Sequence, residues 1–95
     1  MRARFYIDPV TGLHIFTVMG GVNEDEVVEV LEKPGEDRPG REGSRAALGQ
    51  TASGRYLRVI YVPDPDPGSV FVITAYEVTG KPLRAFRKRK RDKQQ

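Results

Sequence analysis

Apolar residues cluster in three stretches of the chain and recur at helical spacing in one. Ser44–Gln50, Arg55–Val62 and Val70–Glu77 read as strands, the last two rich in β-branched and aromatic residues. Arg4 to Asp8 reads as a shorter strand by the same criterion. Thr51-Ala52-Ser53-Gly54 has the length of a hairpin connection. Pro63-Asp64-Pro65-Asp66-Pro67-Gly68-Ser69 is a stiffer connection, because its prolines cannot donate to a ladder. The helical spacing lies between them in type: Val27, Val30 and Leu31 stand at i, i+3 and i+4. Asn23 and Glu26 form an N-x-x-E capping arrangement, with Val22 and Val27 placed as a hydrophobic staple. Glu24, Asp25 and Glu26 put negative charge at the positive end of the helix dipole. Pro34-Gly35 stops the helix, which is predicted over about residues 24–33.

The remaining segments are less regular. Asp8-Pro9-Val10-Thr11-Gly12 reads as a turn, and Leu13 to Met19 as either a strand or a single helical turn. Residues 34–43 are rich in Pro, Gly and charge and read as a loop. Pro82 can open a last helix, with Leu83 and Phe86 at i and i+3. Residues 87–95 contain no apolar side chain and are expected to fray in isolation. The order predicts an α+β fold: an N-terminal strand, one or two short helices, a three-stranded antiparallel meander, and a basic C-terminal helix or tail. One domain over residues 1–80 is expected, followed by the basic segment 81–95. One layer of helix is expected on the sheet.

The strands can be paired on paper. Placing Gln50 opposite Arg55 sets Leu48 against Leu57 and Ala46 against Val59. Placing Val62 opposite Val70 sets Tyr61 against Phe71 and Val59 against Ile73. One face is then Ala46, Leu48, Leu57, Val59, Tyr61, Phe71, Ile73 and Ala75, apolar throughout. The other carries Arg45, Tyr56, Arg58, Ile60, Val72, Thr74 and Tyr76. This register keeps both Arg residues out of the core, where an unpaired charge is costly.

Charge changes the picture more than composition does. The chain has 95 residues and a net charge of +3. Residues 1–80 carry 8 Lys/Arg against 12 Asp/Glu, a net of −4; residues 81–95 carry 8 Lys/Arg against Asp92 alone, a net of +7. A basic end on an acidic body points to an anionic partner, most often nucleic acid. The chain has no Cys and one His, so thiolate and multi-His metal sites are excluded, and no metal or cofactor is implied. The apolar runs are too short for a membrane span, and the first eight residues lack a leader's apolar stretch. A cytoplasmic protein without membrane contact is expected.

The candidate chemistry follows from these placements. Arg45 and Arg58 can contact phosphate in a bidentate fashion, and Tyr56 and Tyr76 can stack on a base or donate a hydrogen bond. Lys81, Arg84, Arg87, Lys88, Arg89, Lys90 and Arg91 supply electrostatic attraction to nucleic acid. His14 can act as an acid or base near neutral pH. The acidic residues Glu24–Glu32 are accounted for by capping and a solvated helix face. The mixed charges of Glu36, Asp37, Arg38, Arg41 and Glu42 read as a solvated loop.

Three segments carry a family likeness. His14 followed by Gly21-Val22-Asn23-Glu24-Asp25-Glu26-Val27, the helix end Leu31 to Pro34, and Ser53–Tyr61 with Val72-Ile73-Thr74-Ala75-Tyr76 resemble, in order and spacing, the BrnT toxins and the wider RelE/ParE superfamily. The likeness covers roughly residues 5–78. It implies a RelE-like fold and a metal-independent endoribonuclease that cleaves messenger RNA and is held by an antitoxin partner. It implies that Arg45, Arg58 and Tyr76 bind the scissile phosphate and assist transfer, with His14 as an acid or base. The last strand departs from the BrnT pattern, with Thr74-Ala75-Tyr76 where Ser-Ala-Arg is usual. A nucleic-acid-binding module without chemistry and a protein-interaction or homodimerising domain are the alternative readings.

Overall fold

The computed structural model describes residues 2–6, 9, 21–66 and 68–93. His14, most of the Asp8–Gly12 turn and the segment Leu13 to Met19 lie outside the described residues. Five strands form one mixed sheet: β1 (Arg2–Phe5), β2 (Glu36–Pro39), β3 (Arg45–Gln50), β4 (Tyr56–Pro63) and β5 (Ser69–Glu77). Their order is β1-β5-β4-β3-β2, with β1 parallel to β5 and the other neighbours antiparallel. Among the described residues, two α-helices accompany the strands, α1 (Glu24–Glu32) and α2 (Gly80–Lys93), with a 3-10 turn at Arg41–Gly43. The expected meander is therefore the centre of a larger sheet.

Helix α1 forms as its sequence predicts. The Asn23 side chain accepts from the Glu26 N–H at 2.9 Å, and Glu26 accepts from the Asn23 N–H at 3.3 Å, closing the capping box. Its apolar stripe, with Val22, Val27 and Val30 buried, packs on Ala47, Leu57, Val59, Tyr61, Val72 and Ala75. This is the main core, and it occupies one face of the sheet.

That face differs from the paper pairing by one residue in β3. Thr51 and Arg55 close the β3–β4 turn: the Thr51 N–H donates to the Arg55 carbonyl at 2.8 Å, and Gly54 adopts a φ of 95°. Three residues rather than four then form the connection. Gln50 pairs with Tyr56, Leu48 with Arg58 and Ala47 with Val59. Because side chains alternate along a strand, this slip turns all of β3 over. Ala47 enters the core, Ala46 and Leu48 face outward, and Arg45 joins the core side. A bulge between Ile60 and Tyr61 shifts β5 as well. Val72 thereby faces Tyr61 in the core, while Phe71 pairs with Val62 on the outer side and Ile73 is exposed.

The outer face carries the second helix, where one helical layer was expected. Phe86, only 1% exposed, plugs a small cluster with Leu48, Val78, Tyr56 and Leu83. Gly35 admits the ring, since a Cβ at this position would lie 2.6 Å from Phe86 Cζ and 3.3 Å from the Leu48 carbonyl oxygen. The basic segment is thus helical through Lys93, with the Phe86 ring as its main apolar anchor on the sheet. The segment read as a loop holds β2, a four-residue edge strand pairing Glu36 with Leu48 and Arg38 with Ala46. Among the described residues, no helix is long and apolar enough to cross a membrane.

Candidate nucleic-acid interface

The outer sheet face is built from two rows of side chains in register. Glu36, Leu48, Arg58 and Tyr76 lie side by side across β2, β3, β4 and β5. Arg38, Ala46, Ile60 and Thr74 form the next row. Helix α2 bounds the rows, and Arg89 reaches from it to Glu36. Together they line a groove of about 340 Å³, with Ala46, Leu48 and Ile60 among its apolar groups and three guanidinium groups among its polar ones.

Arg58 and Tyr76 come together as predicted. Arg58 Nη1 donates to the Tyr76 hydroxyl at 3.2 Å, and the guanidinium lies 5.9 Å from the Tyr76 ring centroid. Among the described residues no carboxylate pairs with Arg58. Tyr76 is 41% exposed, leaving much of its ring open to solvent.

At the opposite end of the row, Glu36 is gripped by two Arg side chains. Arg89 contacts it through Nε and through Nη2, the latter at 3.0 Å, and Arg38 Nε lies 3.5 Å from Oε1. The hydrogen bond to Glu36 raises the Arg89 guanidinium above its ordinary value, against a smaller opposing effect of desolvation. Glu36 thus ties β2, α2 and the groove together.

Arg45 is the main correction to the predicted site. The one-residue slip in β3 places it on the face opposite Arg58. There Arg45 Nε donates to Asp37 at 2.9 Å, and the Tyr61 hydroxyl donates to the other Asp37 oxygen at 2.5 Å. The hydrogen bond to Asp37 raises the Arg45 guanidinium. Burial, then the hydrogen bond to Asp37, raises the Tyr61 hydroxyl. The three side chains tie β2, β3 and β4 together, and Arg45 is not available to a ligand in the groove.

The other predicted residues distribute along α2. Tyr56 meets Phe86 edge-on at 5.9 Å, with the Arg87 guanidinium 5.2 Å from the Tyr56 ring. Lys90 Nζ lies 6.0 Å from the Phe86 ring. Lys81, Arg84, Lys88 and Arg91 are exposed. Sequence reasoning missed Glu36 and Arg38. Their i, i+2 spacing between Pro34 and Pro39 was the available signal, because that spacing puts two side chains on one face of an extended segment.

Two further clusters are accounted for by ion pairing. Arg2 pairs with Asp66 at 2.9 Å and Arg4 with Asp64 at 2.6 Å, beside Ser69. Desolvation pushes the Asp64 carboxyl up, but hydrogen bonds from Arg4 and Ser69 outweigh it and hold the group below its ordinary value. Arg55 joins Glu26 at 3.2 Å and Glu77 at 3.5 Å, tying the start of α1 to the sheet. Among the described residues, no group of three His, Asp or Glu side chains could hold a metal ion.

A family model described as a domain of unknown function, DUF4258, matches residues 20–77. That span holds α1 and β2 to β5 and stops short of α2. No curated protein matches the chain.

Proposed function

The chain belongs to the DUF4258 family, and from the chemistry of its outer sheet face we propose that it is a RelE-like, RNA-directed domain. RNA binds on the face that carries Arg58, Tyr76, Arg38 and α2. The observation that carries this reading is the Arg58–Tyr76 pair: a guanidinium with no carboxylate partner among the described residues, beside an exposed aromatic ring. Guanidinium groups bind phosphate and aromatic rings stack on unpaired bases, so the pair matches both parts of a single-stranded nucleotide. The net +7 over residues 81–95 supplies long-range attraction beside it.

The hydrogen bond between Arg58 and Tyr76 favours a second reading, RNA cleavage within a toxin–antitoxin pair. The RNA 2′-hydroxyl supplies the nucleophile, so the reaction needs no metal. The 2′-oxygen bonds to phosphorus and loses its proton to solvent, while the bond to the 5′-oxygen breaks. Arg58 stabilises the charge on the phosphoryl oxygens, and Tyr76 is placed to protonate the departing 5′-oxygen. An acidic antitoxin would neutralise the same face. Arg45, turned away on Asp37, has no part in this scheme.

Purified protein titrated with single-stranded RNA at two salt concentrations tests both readings. Affinity that falls steeply with salt and with Arg58→Ala is expected. Cleavage that is lost in Tyr76→Phe while binding persists supports the catalytic reading. RNA that neither binds nor is cut at physiological salt overturns both and favours a protein-interaction domain.

A further inference from the structure

The groove holds two cationic seats. At the β2 end, Arg38 and Arg89 flank Glu36, leaving one net positive charge. At the β4–β5 end, Arg58 brings one positive charge beside the uncharged Tyr76. Glu36 and Arg58 belong to one cross-strand row with Leu48 between them. Their backbones are thus two strand spacings apart, roughly 10 Å. The groove surface between the seats includes Ala46, Leu48 and Ile60, which offer no side-chain hydrogen bond.

Among the described residues, each seat keeps guanidinium N–H groups for a ligand. Arg89 spends Nε and Nη2 on Glu36, leaving Nη1. Arg38 turns Nε toward Glu36, leaving both terminal nitrogens. Arg58 gives Nη1 to Tyr76, leaving Nη2 and Nε. Glu36 orients Arg89 and holds Arg38 nearby at the β2 end, and the Tyr76 hydroxyl orients Arg58 at the other.

Charge selects the occupant. A phosphomonoester carries about −1.5 to −2 at neutral pH and is over-charged for either seat. A phosphodiester carries a single negative charge and matches each one. An occupant with one diester at each end and a flat, uncharged body over an apolar surface is one nucleotide within a strand. Building on the RNA reading above, we propose that the groove seats a single nucleotide by both of its flanking phosphodiesters. The strand crosses the sheet from β2 toward β5 rather than following α2. Lys81, Arg84, Lys88 and Arg91 line no part of the groove and serve longer RNA by general attraction.

Short uridine oligonucleotides with 2′-fluoro sugars and hydroxyl ends test this without cleavage. The dinucleotide has one diester and the trinucleotide two. In calorimetric titration of the full chain, the trinucleotide is expected to bind at least about 10-fold more tightly than the dinucleotide. Arg38→Ala and Arg58→Ala should each bring the trinucleotide to within about twofold of the dinucleotide, whereas Arg2→Ala, at the β1 edge and paired with Asp66, should preserve the difference. Thermal unfolding checks that each variant is folded, and Arg38→Gln and Arg58→Gln, which remove the charge but keep a polar side chain, replace any that is not. Equal binding of the two oligonucleotides by the unmodified chain overturns the two-seat assignment. If long single-stranded RNA still binds in that case, the RNA reading survives alone; if no RNA binds, both fall.

Discussion

Replacing Phe86 with Ala should detach α2 while leaving the sheet and α1 folded. The ring is 1% exposed and is the centre of the cluster with Leu48, Val78, Tyr56 and Leu83. Truncating a buried Phe to Ala costs about 3–5 kcal/mol. The lower end applies here, because Leu83 and Tyr56 are partly exposed and can close over the vacated space. Little remains to hold the helix. Arg84–Lys88 and Arg87–Arg91 place like charges at i, i+4, each pair opposing helix formation by about 0.2–0.5 kcal/mol. An isolated helix of 14 residues is marginal in water. The Arg89–Glu36 pair is partly exposed on the Arg side and does not offset a loss of this size. Native-state hydrogen exchange is the assay. In the Ala variant, the α2 amides should lose their protection while those of α1, β4 and β5 keep theirs. Unchanged protection in α2 would refute the idea that one aromatic plug holds the helix.

Three other outcomes follow from the packing. Gly35→Ala should destabilise the chain by about 1–3 kcal/mol in urea unfolding and loosen α2, because the new methyl meets a buried ring and a backbone oxygen. Asn23→Ala should cost about 1 kcal/mol by breaking the capping box of α1. Tyr61 gives a pH dependence: burial and the bond to Asp37 raise its hydroxyl, so the native state holds that proton more tightly than the unfolded chain. The associated stability is complete below the ordinary Tyr value of about 10 and falls as pH rises through the raised one. Tyr61→Phe should therefore lose less stability above about pH 10 than the unmodified chain, as read by urea unfolding at a series of pH values.

Local signals in the sequence agree with the structure, and the features that depend on long-range pairing depart from it. The capping box and staple of α1 depend on residues three to five apart, and the structure keeps them as expected. The three central strands lie within a residue or so of their expected bounds. Register is harder, because it depends on how many residues a turn consumes. Thr51 and Arg55 close a three-residue loop, and that one-residue difference moved Arg45 from the predicted site to the opposite face. The bulge at Ile60/Tyr61 exchanged Val72 for Phe71 in the core for a similar reason, while Arg58, Thr74 and Tyr76 kept their side. Strand β2 was hidden because four residues of charge and Pro carry no apolar alternation; it is held by pairing with β3, not by its own propensity. Helix α2 extends past its last apolar residue because Phe86 and Arg89 anchor it, which a hydrophobic pattern cannot show.

RNA on the outer sheet face should perturb that face and leave the other unchanged. Titrating isotope-labelled protein with single-stranded RNA and following the amide and side-chain resonances tests it directly. Shifts at Arg38, Arg58, Tyr76 and Arg89, with Arg45, Tyr61 and α1 unmoved, are the predicted result. Shifts concentrated at Arg45 and α1, or none at all at saturating RNA, would contradict it.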